Sequence, residues 1–171
     1  IKATLNNLLI PYTSNYAGTL LPGIREYTVT PGEKTTTISG KGKAGLKQEE
    51  NYYFFYLPVC YKGITGKSYA YYNTSRSKNL YLPASVDENY SYDIQLPENL
   101  TLCTPIQEKK IDNPIGSFKI TLTSEGSSLH IELALQIKKQ LITPAEYPAF
   151  RSLITEWTDR TRKPILFKTV Q

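Results

Sequence analysis

The chain has 171 residues, 40% of them hydrophobic and 20% charged, with 14 Tyr, five Phe, one Trp and a formal net charge of +5. That size suits one domain able to hide roughly 70% of its unfolded surface, and the composition excludes an intrinsically disordered chain. No stretch approaches the roughly 18 consecutive apolar residues of a membrane-spanning helix, so no transmembrane segment is expected.

Basic residues concentrate only locally, at Lys41-Lys43-Lys47, Lys109-Lys110, Lys138-Lys139 and Arg160-Arg162-Lys163. Nucleic-acid binding needs such charges on one face, with aromatics placed to stack. Scattered as they are, they read as a solvated surface, and no nucleic-acid partner is expected. The opening Ile1-Lys2-Ala3-Thr4-Leu5 has neither Met nor a basic-then-apolar leader, and reads as a cut inside a longer protein.

Residues 1–50 carry the weakest pattern and are read as a β/loop segment, a candidate tail of a preceding domain. Leu5, Leu8, Leu9 and Ile10 cluster before Pro11, and Tyr12 to Gly23 reads as loop. Arg25 to Thr30 and Lys34 to Ser39 predict two short strands around the turn dipeptide Pro31-Gly32. Gly40 to Gly45 predicts a loop; no strand-to-helix context supports a phosphate-binding one.

From Tyr52 the pattern sharpens. The unbroken apolar run Tyr52 to Leu57 predicts a strand covered on both faces. Ser68 to Asn73 and Lys78 to Leu82 predict Tyr-bearing strands, the second stopped by Pro83. Tyr90, Tyr92, Ile94 and Leu96 alternate with polar residues, the period of a half-buried strand. Leu100 to Thr104 and Gln107 to Asp112 follow as strands, with Asn113-Pro114-Ile115-Gly116 as a turn. Phe118-Ile120-Leu122 and Leu129-Ile131-Leu133-Leu135-Ile137 then predict two antiparallel strands sharing one buried face.

The period changes at Thr143. Thr143-Pro144-Ala145-Glu146 matches a capping box with Pro at the first helical position. Tyr147, Phe150, Leu153, Ile154 and Trp157 repeat at helical spacing. Pro148 leaves two starts open: a short 3₁₀ turn before the helix, or a helix beginning at Pro148. Arg160 to Lys163 suits the helix C-terminus, Pro164 stops it, and Ile165 to Lys168 predicts a last strand.

Chemistry-bearing residues are few. Two Cys and one His fall short of a four-ligand structural zinc site. Cys60 and Cys103 sit at strand ends rather than at helix N-termini, and His130 is out of phase with the apolar set of its strand. A Cys–His nucleophile is therefore not expected. Cys60 and Cys103 are instead a candidate disulfide, with two unpaired thiols as the alternative. The acidic pairs Glu49-Glu50 and Asp87-Glu88 read as solvated loops. Tyr69, Tyr71, Tyr72 and Tyr81 form a candidate ligand platform, against ordinary cross-strand packing as the plain alternative. Asn73-Thr74-Ser75, Asn89-Tyr90-Ser91 and Asn99-Leu100-Thr101 match the N-glycosylation pattern, as chance allows in an Asn- and Ser-rich chain.

Four stretches carry a resemblance: Asn79 to Pro83, Glu88 to Pro97, Pro144 to Arg151, and Pro164 to Lys168. With the long strand pair between them, the region from Tyr52 to Lys168 resembles the C-terminal β-domain of bacterial transglutaminase-like envelope proteins. The resemblance implies that the catalytic Cys, His and Asp lie in an upstream domain, so none of them is assigned to this chain. It also implies a periplasmic or extracellular setting.

The expected architecture is mainly β: an antiparallel β-sandwich over residues 51–171 with one C-terminal amphipathic helix packed on it. The expected role is a non-catalytic structural or interaction domain at the C-terminal end of a larger exported bacterial protein. Its expected partners are the upstream domain of the same protein and, beyond it, a glycan or another envelope protein. No catalytic, metal-ligating or cofactor-binding residue is predicted. The alternatives are a glycan- or protein-binding module using the Tyr-rich strands and, behind it, a membrane-active, pore-forming-like β protein.

Overall fold

Alternation of apolar and polar residues fixes most of the strands seen in the computed structural model, which describes residues 2–6, 26–31, 35–41, 46–57, 64, 75–82, 84–159 and 164–169. The first strands are β1 (Lys2–Asn6), β2 (Glu26–Pro31), β3 (Thr35–Lys41), β4 (Lys47–Glu49) and β5 (Tyr52–Tyr56). Next come β6 (Leu80–Tyr81), β7 (Val86–Gln95), β8 (Leu100–Leu102) and β9 (Gln107–Asn113). The long pair β10 (Gly116–Glu125) and β11 (Ser128–Ile137) leads to β12 (Leu141–Ile142), helix α1 (Tyr147–Thr158) and β13 (Pro164–Thr169).

Among the described residues all pairings are antiparallel. A seven-stranded sheet runs β2-β3-β1-β7-β11-β10-β9, a four-stranded sheet runs β4-β5-β13-β8, and β6 pairs with β12 as a ribbon. The early strands thus join the large sheet, because β1 pairs with β3 on one side and β7 on the other.

The core lies on one face of the large sheet. Tyr90 and Tyr92 of β7, Phe118, Ile120 and Leu122 of β10, and Leu129 to Ile137 at alternate positions of β11 are all buried. Helix α1 turns Tyr147, Phe150, Leu153, Ile154 and Trp157 towards the same cluster, which Ile165 and Phe167 of β13 and Leu100 of β8 complete from the small sheet. The Trp157 ring meets Phe118 edge-on at 6.5 Å and Tyr90 at 5.9 Å. The result is the expected β-sandwich with its C-terminal helix.

Local chemistry sets the joints. In the β9–β10 turn, Asn113 Oδ1 accepts the backbone N–H groups of Ile115 (2.9 Å) and Gly116 (3.3 Å). Asn113 Nδ2 donates to the Ala149 carbonyl at 3.1 Å, tying the turn to α1. Gly116 is required by space: a Cβ there would sit 1.9 Å from the Gln136 carbonyl oxygen. Between β10 and β11 only Gly126-Ser127 intervenes, and Gly126 has φ +57°. A positive φ confined to the first loop residue is the type II′ pattern that suits the twist of a hairpin.

Four expectations change. Strand β5 is not covered on both faces: Tyr52 and Tyr56 are exposed, since its outer side faces away from the core cluster. Asp87-Glu88 is not a loop but the start of β7, which begins four residues before Tyr90. The capping-box bonds form, with the Thr143 N–H and hydroxyl donating to Glu146 Oε2 at 3.0 Å each. They close a turn before the helix, as the first of the two starts left open has it, so Pro144 is not the first helical residue and α1 starts at Tyr147 with Pro148 in its first turn. The predicted strand 78–82 shortens to Leu80–Tyr81. The Tyr12–Gly23 loop, Leu8-Leu9-Ile10, the strand at 68–73 and the basic run at 160–163 lie outside the described residues.

The two glycines should respond differently to alanine. Gly116→Ala forces strand backbones apart and is expected to cost ~2–3 kcal/mol. Gly126→Ala meets nothing within 4 Å and only strains φ, for ~1 kcal/mol. Urea denaturation of the two variants measures both.

Candidate functional site

Four features could support function, and each follows from where the strands place their residues. The first is Glu88, a buried charged residue on β7 with only 4% of its surface exposed. Its Oε1 accepts the Ile64 N–H, and its Oε2 accepts the Tyr90 hydroxyl at 3.2 Å. Burial pushes the carboxyl above its usual range, and the two hydrogen bonds oppose that only in part. Among the described residues, no cation pairs with this carboxyl group inside the sandwich.

The second is the polar face of the large sheet. His130 of β11 lies directly opposite Asp93 of β7, and its Nδ1–H donates to Asp93 Oδ1 at 2.7 Å. Glu132 lies 3.6 Å from His130 Nε2 and accepts Lys119 Nζ at 3.0 Å. The Asp93 hydrogen bond raises the His130 pKa, with Glu132 adding to it, while Lys119 lowers that of Glu132. His130 thus points away from the apolar face, as its phase in the sequence predicts. Cys103 is half-buried with Sγ 4.0 Å from the Thr101 carbonyl oxygen, and Cys60 lies outside the described residues.

The third is aromatic. Tyr53 and Phe55 pack on the core, so Tyr52, Phe54 and Tyr56 occupy the outer side of β5. Tyr52 is 44% and Tyr56 55% exposed, and Lys47 Nζ sits 5.6 Å from the Tyr56 ring centroid. Their cross-strand neighbours on β13 are Lys168, Leu166 and Pro164. Of the predicted platform, Tyr81 is 70% exposed on β6, opposite the exposed Leu141 of β12. Tyr69, Tyr71 and Tyr72 lie outside the described residues. The fourth feature is a groove of ≈490 Å³ along the outward side of α1, between Tyr147 and Glu156.

Among the described residues, no group of three or more His, Cys, Asp or Glu could hold a metal ion, and no helix is long and apolar enough to cross a membrane. Of the glycosylation-pattern asparagines, Asn89 and Asn99 are exposed, and Asn73 lies outside the described residues.

Residues 51–167 match the family model of DUF3858, a domain of unknown function with a solved structure. The chain belongs to the DUF3858 family. A crystal structure of a putative protease from Parabacteroides distasonis superposes on it with a TM-score of 0.62 and 31% sequence identity. That match covers 71% of this chain and 24% of the other, so the chain spans about a quarter of that protein's length. No curated protein matches the chain.

The DUF3858 region contains Glu88, the polar cluster, the β5 aromatics and the helix groove. The sequence reading missed the outward pair Tyr52/Tyr56 because Tyr52 to Tyr56 is aromatic on both sides, which hides the period of two. It missed Glu88 because an acidic pair beside Asn reads as solvent-facing. The available signal was phase, since Glu88 shares the parity of Tyr90 and Tyr92.

Two titrations follow. A raised folded-state pKa means that Glu88 favours the folded chain while neutral, so its contribution is complete below pH 4.5 and fades as pH rises through the folded value. The urea midpoint of wild type minus that of Glu88→Gln should therefore fall from pH 4 to 7; a flat difference would show an unperturbed carboxyl. His130 also has a raised pKa, so its pairing is complete below pH 6.5 and is lost as pH rises through the folded value. Proton NMR of the single His ring should titrate above 6.5, and Asp93→Asn should bring the midpoint down.

Proposed function

We propose that this DUF3858 domain is a non-catalytic structural and interaction domain of a larger exported bacterial protein. One observation supports the reading: the 31%-identical match occupies only 24% of the longer Parabacteroides distasonis protein. A domain that fills about a quarter of a much longer chain leaves room for chemistry elsewhere in that chain. The resemblance of residues Tyr52 to Lys168 to transglutaminase-like envelope proteins would put a Cys-His-Asp domain upstream, and the parent protein in the periplasm or outside the cell.

Within the described part of the chain, the groups that could do acid–base work are poorly placed for it. Glu88 is enclosed and already hydrogen-bonded, and His130 lies on a broad polar sheet face rather than in a cleft. The surface is better suited to contact. A second reading, a binding module for glycan or protein, is favoured by the exposure of Tyr52, Tyr56 and Tyr81. Lys47 over the Tyr56 ring means that a sugar stacking on that side displaces an ammonium group.

The 171-residue chain, assayed against casein and against a glutamine-donor transamidation pair, is expected to turn over neither. Turnover that Glu88→Gln or His130→Ala abolishes would overturn the non-catalytic reading. For the second reading, pull-down on insoluble polysaccharides should lose any retention in the Tyr52→Ala/Tyr56→Ala double variant.

A further inference from the structure

We propose that the groove along α1 binds an extended peptide segment, seating one of its carboxylates on Arg151. The groove is a shallow one, open to solvent, with ≈490 Å³ of space. Its floor is two helical rows at spacing four: Tyr147, Arg151 and Thr155 in one, Ser152 and Glu156 in the other. From Tyr147 to Thr155 the floor runs about 12 Å at 1.5 Å per residue. That length accommodates about four residues of extended chain at roughly 3.3 Å each.

Charge selects the ligand. Glu156 is engaged by Lys109 Nζ at 2.6 Å, so it does not set the sign of the groove. Arg76 forms the facing wall, its guanidinium held 5.8 Å from the Tyr147 ring centroid. Arg151 is exposed and makes no ion pair among the described residues. A guanidinium presents parallel N–H donors that fit a carboxylate in a two-point contact. Thr155, exposed one helical turn along from Arg151, offers a hydroxyl on the same row, while Tyr147 is buried beneath the Arg76 guanidinium. With the half-buried Arg76 held over the Tyr147 ring, Arg151 offers the one exposed guanidinium of the lining. That suits a monoanion better than a dianion and favours a carboxylate over a phosphate.

The occupant is an acidic peptide, and a small free dicarboxylate serves as the control. The ¹⁵N-labelled chain is titrated with acetyl-Ala-Glu-Pro-Ala-amide, with its Gln counterpart, and with glutarate. The Glu peptide is expected to shift the amides of Arg151, Ser152 and Thr155, and the Gln peptide to bind about tenfold more weakly, the worth of one charge-assisted contact. Arg151→Gln should weaken the Glu peptide by a similar factor at unchanged thermal midpoint, with Arg151→Lys in between. Glutarate shifting the same amides as strongly as the peptide would overturn the peptide as the occupant. Absent shifts, equal binding of the Glu and Gln peptides, or an Arg151→Gln variant that binds as wild type would overturn the proposal.

Discussion

The apolar face shared by β7, β10 and β11 must be covered, and the rest of the molecule is arranged around that requirement. Ten-residue strands with strict alternation present a wide ladder of Leu, Ile, Phe and Tyr to one side. Left in water it would aggregate or unfold. Helix α1 covers part of it with five side chains, each contributing about 1.5–3 kcal/mol on burial. The small sheet adds Ile165 and Phe167 from β13, the strand that follows the helix in sequence.

Polar contacts fix where the helix lands rather than supplying most of the stability. Asn113 joins the β9–β10 turn to the Ala149 carbonyl, and Lys109 reaches Glu156 two turns further along. At the other end, Lys139 and the Thr143 donors hold the Glu146 carboxyl down at about 2 and close the turn that aims α1 at the sheet. The Trp157 indole N–H is buried without a partner among the described residues. The large sheet thus keeps its other face for charge, with Asp93, His130, Glu132 and Lys119 in solvent contact.

The parts of this design governed by a single period were legible in the sequence. β10, β11 and α1 follow from alternation and from the helical stripe, and the last strand from the Pro164 boundary. Three features were not legible, each because two signals overlap. Aromatic residues on both sides of β5 mask its alternation. Glu88 carries the chemistry of a loop residue but the phase of a core one, and Pro144 and Pro148 offer two plausible helix starts. The groove arises because Arg76, far away in sequence, is brought against the Tyr147 row of α1, a juxtaposition that local pattern does not encode. The family match spans all these surfaces, and 71% of the chain superposes on a part of the longer Parabacteroides distasonis protein.

Trp157 is the single tryptophan of the chain and lies at the contact between α1 and the sheet, 2% exposed. Its fluorescence therefore reports the covering of the apolar face directly. If α1 and the sheet form one core, the native emission is blue-shifted and resists acrylamide. Its loss on urea titration should then coincide with the loss of the far-ultraviolet β signal. A tryptophan quenched freely in the native chain, or one exposed in a transition well before the sheet unfolds, would contradict that core.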